Sequence, residues 1–123
     1  MTDDGALAEA CQRFRDGKRP TILVAGDLVL DRYIWGEVSR ISPEAPIQIL
    51  KVLREDLRMG GAANVVRNVA AIGAKVVPCG VIGRDAMGKD LLKLFRADGI
   101  PTDGVLADPD RPTIEKTRLV ARS

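Results

Sequence analysis

The run Gly60-Gly61-Ala62-Ala63-Asn64-Val65 decides how the rest of the chain is arranged, because it joins an extended segment to a helix of small residues. Glycine lacks a Cβ, so a ligand can approach the backbone closely there. Free N–H groups at the start of the helix favour an oxygen-rich or anionic ligand. Asn64 carries both a donor and an acceptor, as sugar hydroxyls require. The same run also suits a tight turn in which the glycines serve packing alone.

The composition indicates a globular protein and excludes several classes. The chain has 123 residues, of which 46% are apolar and 29% charged, enough for one domain with a modest core. A net charge of +2 and 3% aromatic residues argue against a nucleic-acid binder. No apolar run approaches the ~20 residues of a membrane span. Because Met1-Thr2-Asp3-Asp4 also lacks a signal-peptide pattern, we predict a cytoplasmic protein that binds neither nucleic acid nor membrane.

Histidine is absent from the sequence, and Cys11 and Cys79 stand far apart. We therefore predict no zinc site and no catalysis by a nucleophile that a histidine activates. An unpaired cysteine usually behaves as a small apolar residue, so we expect both thiols to be buried.

Strands and helices alternate along the chain. Apolar spacing predicts helices over about 5–17 and 62–72, a helix that follows a turn over 83–88 and ends at about 97, and strands over 21–26, 75–83, 105–107 and 113–121. In that turn, Asp85 is a candidate N-cap. The first strand lacks polar alternation, which predicts a central parallel strand buried on both faces. Pro78 predicts weakened hydrogen bonding in the 75–83 strand. The alternation favours one domain with an α/β fold, a doubly wound and mostly parallel sheet.

Residues 32–59 form an insertion between the first strand and the helix that follows the glycine pair. Two extended segments, 33–38 and 47–52, flank the turn Ser42-Pro43-Glu44-Ala45-Pro46. They predict a small sheet that projects from the body as a β lid. Tyr33 and Trp35 either anchor an interface between subunits or pack within the lid itself.

Two carboxylates follow the first strand. Asp27 and Asp31 lie where open α/β sheets place their ligands, outside the carboxyl end of a strand. The residues favour Asp31 as a ligand-binding group. For Asp27, ligand binding and the stabilisation of a turn are equally good interpretations.

Longer runs carry a resemblance to a known family. They are Gly26-Asp27-Leu28-Val29-Leu30-Asp31-Arg32-Tyr33, Ser39-Arg40-Ile41-Ser42-Pro43-Glu44-Ala45-Pro46 and Pro112-Thr113-Ile114-Glu115-Lys116-Thr117-Arg118. With the glycine pair, they resemble the N-terminal part of ribokinase-like carbohydrate kinases, and among these the D-glycero-D-manno-heptose 7-phosphate kinases. Such kinases are often fused to an adenylyltransferase in ADP-heptose synthesis. The resemblance covers nearly the whole chain from Thr21 onward.

The resemblance implies a role for several residues. Asp31 and Asn64 would bind sugar hydroxyls, while Gly60 and Gly61 would let the sugar lie against the backbone. The lid strands would close over a small sugar phosphate and pair two subunits into a homodimer. Their charge and position suggest that three further residues either bind the substrate's phosphate or are simply solvated at the surface: Arg40, Lys116 and Arg118.

One family motif does not occur in these 123 residues. The Gly-Ala-Gly-Asp motif of the family supplies the catalytic aspartate and an anion hole for the phosphoryl group. We therefore expect no catalytic, cofactor-binding or metal-binding residue in this chain, and no activity from it alone. In the intact enzyme, ATP and Mg²⁺ would phosphorylate the anomeric hydroxyl. The alternatives are a non-catalytic sugar-phosphate-binding or dimerisation module, and a kinase for another sugar such as ribose or fructose phosphate.

Overall fold

The computed structural model describes residues 4–122, apart from the side chains of Asp4 and Ser39. Residues 1–3, where we found no signal-peptide pattern, and Ser123 lie outside the described range. Within that range the elements follow the predicted order. They are α1 (Asp4–Arg15), β1 (Thr21–Ala25), β2 (Leu28–Ile41), β3 (Gln48–Gly61), α2 (Ala62–Ala71), β4 (Lys75–Gly83), α3 (Ala86–Ala97), β5 (Val105–Asp108) and β6 (Ile114–Arg122).

The strands form two three-stranded sheets. The main sheet has the order β1-β4-β5, and all its pairs are parallel. The lid sheet has the order β3-β2-β6, in which β2 and β3 form a long antiparallel hairpin and β6 runs parallel to β2. The predicted α/β fold with a parallel sheet and a projecting β lid is confirmed. That the last strand joins the lid was not predicted.

The hydrophobic core lies where α2 and α3 pack against both sheets. Its largest fully buried side chains are Phe95, Leu28, Leu30, Ile82, Leu91, Val66 and Pro78. Leu28 and Leu30 alternate along β2 with Val29 and Asp31, and successive side chains of a strand point to opposite faces. Burial of the two leucines therefore directs Asp31 to the face of the lid that points away from the core.

The lid extends further than its sequence pattern indicated. We expected the insertion to span 32–59 and Asp31 to lie in a loop after the first strand, but β2 already begins at Leu28. Leu28 pairs with Gly61 and Leu30 with Met59, so core packing extends the hairpin down to the body of the fold. Asp31 consequently lies within a strand, at the base of the lid.

The first strand is not central, contrary to our prediction. Within the described residues β1 pairs with β4 alone, and Leu23 is 64% exposed. The central position belongs to β4, which continues through Pro78 without a break. Pro78 causes no interruption because β5 joins β4 only from Gly80 onward, so no pairing there needs the missing N–H.

Several side chains predicted to be buried are exposed. Cys79 shares the outer face of the main sheet with Leu23, and no described element covers that face. Cys11 is also exposed, on α1. On α2, Val66 is fully buried, whereas Val65 is 48% exposed because only one side of the helix meets the core.

The junction between α3 and β6 is a compact hydrogen-bonded cluster. Asp85 is the N-cap of α3, as predicted, and its carboxylate accepts from Gly88 N at 2.8 Å, Thr113 N at 2.8 Å and Thr113 Oγ1 at 2.7 Å. Thr113, only 5% exposed, also accepts from Gly83 N at 2.9 Å. The hydrogen bonds, first of all that from Thr113 N, lower the pKa of Asp85. This cluster ties the end of β4 to the start of β6, and thus the main sheet to the lid.

Candidate functional site

The base of the candidate site is the junction of β3 and α2. Gly61 has a φ of +55°, and a Cβ there would lie 2.6 Å from the backbone oxygen of Asp27. That same oxygen accepts a hydrogen bond of 2.9 Å from Ala62 N, at the start of α2. Asp27 thus fixes the helix start through its main chain while its side chain is exposed. This main-chain contact stabilises the turn without using the carboxylate, so it does not decide between the two roles predicted for the Asp27 side chain.

Gly60 and Asp31 are in direct contact across the hairpin. A Cβ on Gly60 would lie 2.5 Å from Oδ2 of Asp31, so the carboxylate occupies the room that the glycine leaves. Arg118 Nη1 donates to Asp31 Oδ1 at 2.8 Å, and the Asp31 side chain is 19% exposed. This hydrogen bond raises the pKa of Arg118. The second carboxylate oxygen therefore faces the glycine pair, which is where the sequence placed a ligand.

The first turn of α2 adjoins this contact. Its N-cap is Gly61, and no side chain caps the helix there. Asn64 lies in this first turn and is exposed. The structure thus brings the predicted residues Asp31, Gly60 and Gly61 together, and Asn64 lies in the first turn of the helix that follows them.

One face of the lid sheet concentrates arginine and aromatic side chains, and we call it the arginine face. Cross-strand pairing places three residues of β2 between neighbours from β3 and β6. The face comprises Asp31, Tyr33 and Trp35 of β2, Arg54, Asp56 and Arg58 of β3, and Lys116, Arg118 and Val120 of β6. Since paired residues point to the same side of a sheet, these side chains form three adjacent rows.

The two rings organise the arginines around them. Tyr33 and Trp35 stack with centroids 6.4 Å apart and planes inclined by 18°. The guanidinium carbons of Arg58 and Arg118 lie 4.7 and 5.0 Å from the centroid of Tyr33, one from each flanking strand. Arg54 lies 4.9 Å from the centroid of Trp35. Such cation–π contacts hold the planar guanidinium groups in fixed positions. Tyr33 and Trp35 thus pack within the lid, while a subunit contact through them stays a prediction.

Asp56 is engaged mainly by Arg54 and Trp35. It accepts from Trp35 Nε1 at 3.0 Å and pairs with Arg54 at 2.9 Å, whereas Arg58 Nη2 is 3.9 Å away. On the opposite face of the lid, Arg32 pairs with both Glu55 and Glu115, and the hydrogen bond to Glu55 raises its pKa. That opposite face has one cation between two carboxylates, whereas the arginine face has an excess of cations.

The predicted phosphate-binding cations end up in different places. Arg118 contacts Asp31, and the exposed Lys116 is the cross-strand neighbour of Asp31 in β6. Arg40 is exposed at the far end of β2, about 30 Å of strand away from Asp31. The fold of this chain therefore does not bring Arg40 to the site.

Sequence reasoning missed the contribution of β3. Arg54, Asp56 and Arg58 lie beyond the predicted 47–52 strand, so they were not considered. The signal was present in their spacing, because charged residues at every second position of a strand share one face. Beyond Trp35, at a bulge in the hairpin, a groove of about 420 Å³ is lined by Trp35, Gly36, Glu37, Leu53, Arg54, Val120 and Arg122.

Residues 4–122 offer neither a cluster of metal ligands nor a helix suited to a membrane. No group of three or more His, Cys, Asp or Glu side chains is arranged to hold a metal ion in that range. None of its helices has the length and apolarity needed to cross a membrane.

Comparison with known proteins gives one family. Residues 20–123 match the family described as pfkB family carbohydrate kinase. The chain is 50% identical over 103 residues to the bifunctional protein HldE of Wolinella succinogenes, covering 84% of this chain and 22% of that protein. Against the bifunctional protein HldE of Geotalea uraniireducens, identity is 54% over 99 residues, or 80% of this chain and 20% of the relative. The chain thus spans about a fifth of the length of these curated relatives.

Solved structures agree with this assignment. The fructokinase of Halothermothrix orenii matches with a TM-score of 0.58 and 26% identity, over 81% of this chain and 33% of that one. A nucleoside kinase of Burkholderia thailandensis matches with a TM-score of 0.62 and 21% identity, over 82% of this chain and 35% of that one. The second match shows the ribokinase-like fold alone.

Proposed function

Since the chain belongs to the pfkB family of carbohydrate kinases, we propose that it forms the sugar-binding part of an ATP-dependent D-glycero-D-manno-heptose 7-phosphate kinase. Within that enzyme, the proposal treats residues 1–123 as the N-terminal part of the kinase domain. The similarity to bifunctional HldE proteins, at about 50% identity over four fifths of the chain, carries the proposal. The resemblance of residues 39–46 and 112–118 to heptose 7-phosphate kinases supports this choice of sugar.

The geometry of the site suits a sugar. Asp31 offers a carboxylate acceptor that lies over Gly60, where no side chain separates it from the backbone, and this carboxylate can accept from the hydroxyls of a sugar. Asn64 adds a donor and an acceptor from the exposed first turn of α2. In this proposal Asp31 and Asn64 orient the sugar, and its anomeric hydroxyl points away from the lid. Orientation of this kind contributes much of the rate in phosphoryl transfer.

ATP and Mg²⁺ supply the transferred phosphoryl group and neutralise its charge in this reaction. The two carboxylates of the arginine face do not suit Mg²⁺, because Asp31 pairs with Arg118 and Asp56 with Arg54, and no group of three or more metal-ligating side chains occurs in residues 4–122. We therefore assign the nucleotide, the metal ion and the catalytic base to parts of the enzyme outside these 123 residues. This division predicts that the 123-residue chain by itself does not turn over ATP with the heptose phosphate.

We further propose that the enzyme is a homodimer in the cytoplasm and that its subunits meet through the lid strands. The outer part of the lid exposes large apolar side chains: Ile41 at 66%, Ile47 at 62%, Val52 at 54%, Leu53 at 57% and Leu119 at 65%. Exposed apolar side chains of this size, present on both faces of the lid, are available for a protein contact. In this dimer, the lid of one subunit contacts the lid of the other.

The experiment measures ADP release by the complete gene product with D-glycero-D-manno-heptose 7-phosphate, ribose and fructose 6-phosphate as alternative substrates. We expect turnover with the heptose phosphate and none from the 123-residue chain. Preferred turnover of another sugar would support the alternative kinase. Binding of a sugar phosphate without turnover by the complete protein would support the non-catalytic module.

A further inference from the structure

Arg58 and Arg118 form a pair of guanidinium groups on either side of Tyr33. Arg58 approaches the ring from β3 at 4.7 Å and Arg118 from β6 at 5.0 Å, measured from the guanidinium carbon to the ring centroid. Stacking on a ring engages the face of a guanidinium and leaves its N–H groups, which lie in the plane, free for other acceptors. The two groups therefore present several fixed donors at one place on the arginine face.

The charges at this place are only partly compensated. Arg118 pairs with Asp31 at 2.8 Å, but Arg58 is 3.9 Å from Asp56, whose carboxylate already binds Arg54 at 2.9 Å. The side chain of Arg58 is 53% exposed. Lys116 adds a further exposed cation as the neighbour of Asp31. The rows of Asp31 and Tyr33 thus hold more cations than anions, which favours an anionic ligand.

Arg54 shows what a purely structural arginine looks like on the same strand. It lies 4.9 Å from the centroid of Trp35, much as Arg58 lies on Tyr33, yet a carboxylate at 2.9 Å satisfies it. It also lies one row further from Asp31 than Tyr33 does, in the row of Trp35. Arg58 therefore has no close carboxylate and can bind an added anion, whereas Arg54 is engaged within the lid and stabilises it.

We propose that Arg58, together with Arg118, binds the phosphate group of the sugar phosphate and thereby determines the preference for a phosphorylated substrate. This inference deepens the proposed function and rests on it. Residues two apart on a strand are separated by about 7 Å, so a sugar whose hydroxyls meet Asp31 can extend its phosphate toward the row of Tyr33. Each planar guanidinium can donate two parallel hydrogen bonds to phosphate oxygens. Tyr33 acts as the positioning residue that holds both groups.

The test compares binding of D-glycero-D-manno-heptose 7-phosphate with binding of the unphosphorylated heptose by calorimetry on the complete protein. Arg58→Ala should weaken binding of the phosphorylated sugar by about 10- to 100-fold, the range for loss of a hydrogen bond to a charged group. Binding of the unphosphorylated sugar should stay unchanged. Arg58→Lys should restore part of the loss, because it keeps the charge without the bidentate geometry.

Arg122→Ala is the matched control, since it removes an arginine from the same face of the lid, four residues beyond Arg118 in β6, and leaves the Arg54–Asp56 pair in place. It should leave the ratio of the two affinities unchanged, and thermal unfolding of each variant shows that the protein is folded. An unchanged ratio in Arg58→Ala would overturn the inference. Equal affinity of the wild-type protein for the heptose phosphate and the heptose would also overturn the inference. That result would not contradict the proposal that the substrate is a heptose. A wild-type preference for the phosphate of a different sugar would instead contradict the proposed substrate, and the same ratio would then be measured with that sugar.

Discussion

The carboxylate of Asp31 lies where a side chain on Gly60 would have to be. A Cβ at Gly60 would come within 2.5 Å of Oδ2 and 2.7 Å of Cγ of Asp31. Heavy atoms that are not bonded cannot approach so closely. The Asp31 carboxylate on β2 can therefore occupy its position only because Gly60 on β3 has no side chain. The glycine therefore matters to the site through a neighbouring residue, in addition to any direct approach of a ligand to its backbone.

Gly60→Ala should weaken sugar binding more than it weakens the fold. The added methyl group meets the end of a side chain that can rotate away, so Asp31 shifts and loses its contact with Arg118. We expect a drop in sugar affinity of about 10-fold, in line with the loss of one charge-assisted hydrogen bond, measured by calorimetry. Gly61→Ala is the contrasting variant, because a φ of +55° and the backbone oxygen of Asp27 give it no room to relax. It should lower the unfolding free energy by about 1–3 kcal/mol. Normal sugar affinity in Gly60→Ala would contradict this account.

Asp31→Ala should abolish sugar phosphorylation by the complete enzyme while nucleotide binding is retained. The substitution removes the carboxylate that accepts from the sugar hydroxyls, and it also frees Arg118. Asp27→Asn is the control, since the contribution of Asp27 to the site is a backbone oxygen that the variant keeps. A coupled assay and calorimetry with both ligands measure the outcome. If Asp31→Ala bound the heptose phosphate with normal affinity, its assigned role would be wrong.

Asp85→Ala should destabilise the protein by about 1–3 kcal/mol, because it removes an N-cap and leaves the buried N–H and hydroxyl of Thr113 without their acceptor. Thr113→Val should cost less, since the backbone bond from residue 113 to Asp85 survives. Lys93→Ala is the surface control: it removes an exposed ion pair with Asp90 and should change stability by less than about 0.5 kcal/mol. Urea unfolding gives all three values. Equal losses in Asp85→Ala and Lys93→Ala would show that the cluster does not stabilise the junction.

The contribution of Asp85 should also depend on pH. Its pKa is lowered in the folded protein, so its stabilising effect is complete above the ordinary aspartate value of about 3.9. As the pH falls below that value and through the folded pKa, the group takes up a proton and the effect is lost. The difference in unfolding free energy between the wild type and Asp85→Asn should therefore shrink between pH 5 and the most acid pH at which the protein folds. A difference that stays constant over this interval would contradict the prediction.

Leu53→Glu should convert the proposed lid dimer to monomers. Leu53 is 57% exposed beside Trp35 at the bulge of the hairpin, and a charged side chain there would have to lose its hydration on association. Leu7→Glu, at a residue of α1 that is 66% exposed, should leave the assembly intact. Sedimentation velocity distinguishes the two results. A wild-type protein that is monomeric at micromolar concentration would remove the basis for the dimer.

Much of the fold followed from local patterns. The order of elements, the exact extent of β4 from Lys75 to Gly83 and the N-cap at Asp85 agree with the sequence prediction, because each depends on neighbours along the chain. Burial was predicted less well. The exposure of Leu23, Cys79 and Cys11 depends on what packs over a face, and apolar character alone does not reveal that.

Residue type and spacing were enough to predict the glycine pair at the junction of β3 and α2, the inserted hairpin and the nearby carboxylate of Asp31. The addition of β6 to the lid could be seen only in the folded chain, because strand pairing brings together residues far apart in the sequence. That pairing sets Arg118 against Asp31 and, with Arg58 from β3, around Tyr33. It also leaves Arg40 at the distal end of β2. The acceptor proposed for the sugar, Asp31, could thus be identified from the order of residues in the chain, whereas its cationic surroundings arise from contacts between three strands.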